Sequence, residues 1–82
     1  MSDLVNLAGK KLLILGGNPE TGVLVKTANT LGIFTIVIDP NSKSPAKKFA
    51  KKHYNIDGFD IANLTKVANV ENVDGVLVGV AD

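Results

Sequence analysis

The sequence predicts an α/β fold: a three-layer parallel β-sheet, half of a Rossmann-like domain, with strand order 3-2-1-4. Three observations carry this. The runs "KLLIL", "IFTIVID" and "VLVGV" are apolar at nearly every position, the mark of strands covered on both faces. A fourth run, "HYNI", is short and mixed, as suits a sheet edge. Segments of helical period lie between the runs on short connectors, giving β-α-β-α-β-α-β with right-handed crossovers.

Taken in order, residues 2–8 offer one helical turn, with Ser2 or Asp3 as cap and Leu4, Val5 and Leu7 apolar. The first strand spans Lys11 to Leu15, and Gly16, Gly17 and Asn18 turn the chain. Pro19 suits the first position of a helix capped by Asn18, and Glu20 in the first turn favours the helix dipole. Val23, Leu24, Ala28 and Leu31 are expected on its buried side, with Gly32 ending it. The second strand covers residues 33–39, and a loop of turn formers follows to Ser44. "SPAKKFAKK" restarts a helix with Ser44 as cap and Pro45 first; its buried face is Ala46, Phe49 and Ala50. The third strand is expected over residues 53–56. Asp60 caps a last helix with Ile61, Leu64, Val67 and Ala68 on its apolar face, and the fourth strand runs through residues 76–80. In the order 3-2-1-4 that strand lies at an edge. An edge so apolar implies a natural continuation that covers it, so the chain is expected to be one domain, residues 1–82, of a longer polypeptide. Left uncovered, the edge is expected to pair with a second copy as a homodimer.

Composition narrows the function classes. The chain has 82 residues, enough for one small domain. It has no cysteine, which removes disulfides and thiolate metal sites. No apolar run reaches the roughly 18 residues of a membrane span, and neither a signal peptide nor a membrane partner is expected. The expected location is the cytoplasm. The net charge is +1, and all nine basic residues are lysines. Five of them, Lys43, Lys47, Lys48, Lys51 and Lys52, read as the wet face of the short helix rather than as a nucleic-acid patch, because no aromatic platform is interleaved.

The glycine turn lies where the strand order reverses, the place at which open α/β sheets bind ligands. A P-loop is excluded because Val23 and Leu24 stand where lysine and a hydroxyl residue belong. The dinucleotide fingerprint is incomplete, its second and third glycines falling on Asn18 and Thr21. Asp39, at the end of the second strand, remains placed for a ribose hydroxyl, so a divergent dinucleotide or small-ligand module stays open. Backbone N–H groups at the helix start, with Thr21 and Asn18, suit a small carboxylate or a single phosphate. No catalytic constellation and no metal site accompany them; His53 and Tyr54 read as structural, and Asp57, Asp60 and Asp74 as turn and cap residues.

The stretch "LGGNPET", the passage "TANTLGIFTIVID", the "DPNSKSPA" loop with "FA", and "HYNID" together resemble the N-terminal domain that precedes the catalytic core of ATP-grasp enzymes. The likeness is greatest to a carbamoyl-phosphate-synthase-like or carboxylate–amine ligase branch and extends through "VDGVLVGVAD". The resemblance implies an enzyme that activates a carboxylate or bicarbonate with ATP and magnesium as an acyl phosphate, which an amine or ammonia then attacks. It places ATP and magnesium in later domains, so none is expected in these residues and the chain is expected to be inactive alone. It makes Gly16, Gly17, Asn18, Glu20 and Thr21 substrate-site candidates, with Asp39 and Asn41 behind them.

Overall fold

The structure, a computed structural model, describes residues 7–16 and 19–78. Its strands are β1 (Lys11–Leu15), β2 (Phe34–Ile38), β3 (Lys52–Tyr54) and β4 (Gly75–Val78), all parallel, in the order β3-β2-β1-β4. Helix α1 (Pro19–Thr30) follows β1, a single 3-10 turn (Pro45–Lys48) follows β2, and helix α2 (Ile61–Glu71) follows β3. The expected fold class and strand order are both realised.

Strand alternation divides the core. Leu13, Ile36 and Ile38 point to one face, where Leu64 and Val67 of α2 cover them. Ile14 and Val37 point to the other, under Val25 of α1 and Ala46 of the 3-10 turn. Central strands need apolar residues at successive positions because both faces are covered.

Helix α1 differs in phase from the sequence expectation. It buries Thr21, Gly22, Val25 and Ala28, whereas Val23 is 65% exposed and Leu24 sits at the surface. Gly22 is on the side that packs against the 3-10 turn: a Cβ built there would stand 3.6 Å from the Ala46 backbone and the Phe49 ring, an ordinary packing distance. Gly32, at φ +83, turns the chain out of α1, and its amide oxygen accepts from the Gly9 N–H at 2.9 Å.

The helix expected over "SPAKKFAKK" is also shorter than its sequence pattern. Lys51 N–H already donates to Thr35 O at 3.0 Å, so pairing with β2 begins where a second turn would have continued. The Ser44 side chain does not cap it, and donates instead to Asn41 O at 3.0 Å. The expected wet face of lysines is corrected as well, since Lys47 is buried. β3 accordingly starts one residue earlier than expected and ends at Tyr54.

Helix α2 forms as expected, with the Asp60 carboxylate accepting from Asn63 N–H at its start and Asn72 in the left-handed conformation at its end. Its buried residues are Leu64, Val67 and Glu71, while Ile61 is exposed. Glu71 accepts from Lys52 Nζ at 2.7 Å and from the Tyr54 hydroxyl, and its backbone oxygen accepts from Lys11 Nζ at 2.9 Å. These bonds tie the end of α2 to β3 and β1. Tyr54 is therefore structural, as expected.

β4 presents Val76 and Val78 to solvent, more than half exposed. The expected residues 79 and 80 of that strand lie outside the described residues, as do residues 2–6 of the N-terminal turn.

Candidate functional site

The carboxyl ends of β1 and β2 open on a hollow of about 440 Å3, lined among others by Leu15, Gly16, Ile38, Asp39, Pro40 and Phe59. Val78 at the end of β4 lines its far side, so the hollow straddles the point where strand order reverses. Leu15 and Ile38 belong to the face covered by α2. The floor is therefore the last layer of that core, and the roof is open.

Gly16 ends β1 at φ +110, a conformation that side chains rarely adopt, while its N–H still donates to Ile38 O at 3.0 Å. Pairing with β2 thus extends to Gly16, where the backbone leaves the extended conformation of the strand. Gly17 and Asn18 lie outside the described residues. Beyond them, Glu20 is exposed, but Thr21 is buried and has a polar partner within the fold. Of the candidates from the sequence, the hollow brings together Gly16 and Asp39. Glu20 and Thr21 begin α1, which packs on the opposite face of the sheet.

Asp39 and Asn41 shape the loop that walls the hollow. The Asp39 carboxylate accepts from Asn41 N–H, and the Asn41 side-chain oxygen accepts from Lys43 N–H, both at 2.9 Å. These consecutive side-chain turns fold the loop on itself. Lys47 Nζ then donates to Asp39 O at 2.8 Å, to Asn41 O at 2.7 Å and to the Asn55 side-chain oxygen. A buried ammonium with all three protons committed holds residues 39–41 against the end of β3. Burial pushes the Lys47 pKa down, and the nearby Asp39 carboxylate partly opposes the shift.

Two contributors were missed in the sequence. Lys47 sat in a lysine-rich run, where spacing alone does not distinguish an inward side chain from its neighbours. Phe59, 92% exposed on the rim, stands in the turn "DGFD". The signal available was a large aromatic that no helix or strand face claims.

A second hollow, about 370 Å3, lies at the amino ends of the strands and includes Lys10, Lys11 and Asp74. Its carboxylate is committed to Lys11 N–H at 2.8 Å, and parallel sheets bind ligands at the other end. Among the described residues no group of three His, Cys, Asp or Glu side chains is placed for a metal, and no helix is long and apolar enough to cross a membrane. Val23 and Leu24 stand where the lysine and hydroxyl residue of a P-loop would be.

The profile of the ribonucleotide synthetase preATP-grasp domain matches residues 9–78. The chain belongs to this family. The preATP-grasp domain is 31% identical over 70 residues to a formate-dependent phosphoribosylglycinamide formyltransferase from Maridesulfovibrio salexigens, covering 85% of the chain and 18% of that protein. To the enzyme of the same name from Bacillus velezensis it is 35% identical over 65 residues, or 79% of the chain and 17% of the relative. Among solved structures, N5-carboxyaminoimidazole ribonucleotide synthetase from Thermotoga maritima matches 87% of the chain and 19% of its own, at 27% identity and TM-score 0.77. The Staphylococcus aureus synthetase complexed with ADP shares the fold, at 20% identity and TM-score 0.78 over 87% of the chain and 18% of its own. The chain thus spans less than a fifth of each of these proteins. The ATP-grasp assignment of the sequence resemblance holds; the names these relatives carry are formyltransferase and ribonucleotide synthetase.

Proposed function

We propose that this preATP-grasp domain is the substrate-side domain of an ATP-grasp ligase. In the whole enzyme a carboxylate or bicarbonate is activated as an acyl phosphate and then attacked by an amine or ammonia. ATP and magnesium belong to the other domains of that enzyme, and this chain alone is inactive. The observation that carries the proposal is the hollow at the strand-order reversal, where Gly16 turns at φ +110 beside Asp39. The names of the relatives point to the acceptor class, a small amine carried on a phosphorylated ribose. The exposed Phe59 ring and the apolar floor suit its uncharged part. The turn that Gly16 opens is assigned to its anionic part, with the backbone N–H groups at the start of α1 as donors; Gly17, Asn18, Glu20 and Thr21 remain the substrate-site candidates read from the sequence. Asp39 and Asn41 hold the wall from behind. The setting is cytoplasmic, with neither nucleic acid nor membrane as partner.

Calorimetric titration of the chain with magnesium-ATP and, separately, with NAD tests the division of labour. Neither is expected to produce heat attributable to a site. Micromolar binding of magnesium-ATP would overturn the placement of the nucleotide in other domains. Micromolar binding of NAD, lost on changing Gly16 to Val, would instead support the stand-alone dinucleotide module.

The same proposal assigns a role to the exposed edge of β4. Its unpaired backbone groups beside Val76 and Val78 suit pairing, with the remaining ATP-grasp domains in the whole enzyme and with a second copy when the chain is alone. Light scattering over a hundredfold concentration range is expected to show the mass rising from monomer to dimer. A mass that stays monomeric throughout contradicts the pairing of edges.

A further inference from the structure

We propose that a second hollow, on the outer side of the loop 39–44, is a binding site for a phosphate group carried on a small molecule. It measures about 430 Å3 and is lined by Ser42, Lys43, Ser44, Lys47, Lys48 and His53, with no acidic side chain among them. That volume is within the range of small-molecule sites. The site does not depend on the crevice: Asp39 and Pro40 line the crevice, whereas Ser42, Lys43 and Ser44 line this hollow.

The donors are available. The side chains of Lys43, Lys48 and His53 are exposed and make no hydrogen bond or ion pair with another described residue. Ser42 adds a hydroxyl, whereas that of Ser44 is already given to Asn41 O. Two ammonium groups, an imidazole and a hydroxyl thus converge on one concavity.

A buried charge lies beneath them. Lys47 is 6% exposed, and its ammonium donates to two backbone carbonyls and one side-chain amide, all neutral oxygens. Among the described residues the one ion pair is Lys52 with Glu71, on the other face of the sheet. The charge of Lys47 therefore has no carboxylate in contact, and Asp39 acts on it only from a distance. A buried charge whose nearest carboxylate is out of contact is only partly compensated, and burial is the larger effect on Lys47. An anion in the hollow would add to that compensation, with Lys47 acting through its field and the exposed donors making the bonds.

The chemistry favours phosphate on a compact carrier. A tetrahedral dianion takes several donors at once, and lysine binds phosphate as a point charge. Nucleic acid would need stacking platforms. The Phe49 ring already lies under Lys26 Nζ at 4.7 Å from its centroid, and the Tyr54 hydroxyl is turned to Glu71.

The test is titration of the 15N-labelled 82-residue chain with sodium pyrophosphate, and in separate arms with glycerol 3-phosphate and a single-stranded oligonucleotide, at constant ionic strength. Saturable amide shifts are expected at Ser42, Lys43, Lys48 and His53. The double variant Lys43→Ala, Lys48→Ala, both on exposed side chains, is expected to keep the wild-type spectrum elsewhere and bind at least tenfold more weakly. Glycerol 3-phosphate binding as well as pyrophosphate marks a monoester site; weaker binding marks a diphosphate site, and either supports the proposal. Shifts that track added sodium chloride equally, equal affinity in the double variant, or tight binding of the oligonucleotide alone would overturn it.

Discussion

Ile36→Ala is expected to lower the melting temperature of the chain by about 10 °C or more. Ile36 is fully buried at the centre of β2, in register between Leu13 of β1 and Lys52 of β3, within the cluster that Leu64 and Val67 cover. Cutting a buried isoleucine to alanine costs about 2–5 kcal/mol, through lost transfer energy and the cavity left behind. A chain this short has about 4–12 kcal/mol to lose, and in small domains each kcal/mol moves the midpoint by about 4–8 °C. Val23→Ala is the control. The sequence placed Val23 on the buried side of α1, but the structure leaves it 65% exposed, so its loss should stay within about 0.5 kcal/mol. Thermal melts followed by circular dichroism check both. A Val23 variant as damaged as the Ile36 variant would contradict the phase of α1.

That pair of residues also shows what was legible in the sequence. Strands covered on both faces announce themselves, because every position must be apolar, and Ile36 lies in such a run. The strand order followed from crossover handedness and from the polar third strand. Helix phase was less legible, since α1 packs through Thr21 and Gly22, residues that an apolar stripe does not count. At the site, Gly16 and Asp39 were readable from strand ends and turn chemistry. Lys47 and Phe59 were not, because burial of one lysine among five and exposure of one aromatic are decided by tertiary contacts.

Glu71 gives the second large effect, and it depends on pH. Bonds from Lys52 and then from Tyr54 hold the Glu71 carboxyl below the usual carboxylate range, against the opposing effect of burial. A carboxylate with a depressed folded pKa contributes stability above its ordinary pKa, about 4.3. That contribution is lost as pH falls through the folded value. At the alkaline end the bond with Glu71 raises the pKa values of Lys52 and Tyr54. Their contribution is full below the ordinary values, about 10, and is lost as pH rises through the folded ones. Urea unfolding at pH 7 and at pH 3 is expected to show a clear acid loss in the wild type and a smaller one in Glu71→Gln. At pH 7 the variant should be less stable by about 1–2 kcal/mol, mostly through the bond to Tyr54, because the half-exposed Lys52 pair is screened. Identical pH profiles for the two proteins would remove Glu71 from the account.

The hollow beside Gly16 and Asp39 is proposed to receive the acceptor of a ligase reaction. This is tested most directly by titrating the 15N-labelled chain, in the Lys43→Ala, Lys48→Ala background, with phosphoribosylglycinamide, the amine that the formyltransferase relatives name. That background removes the second phosphate site proposed above. The account predicts saturable shifts at Gly16, Asp39 and Phe59, and none at Lys10 or Asp74 at the opposite end of the sheet. Shifts confined to that opposite end, or none at any residue up to millimolar ligand, would contradict it.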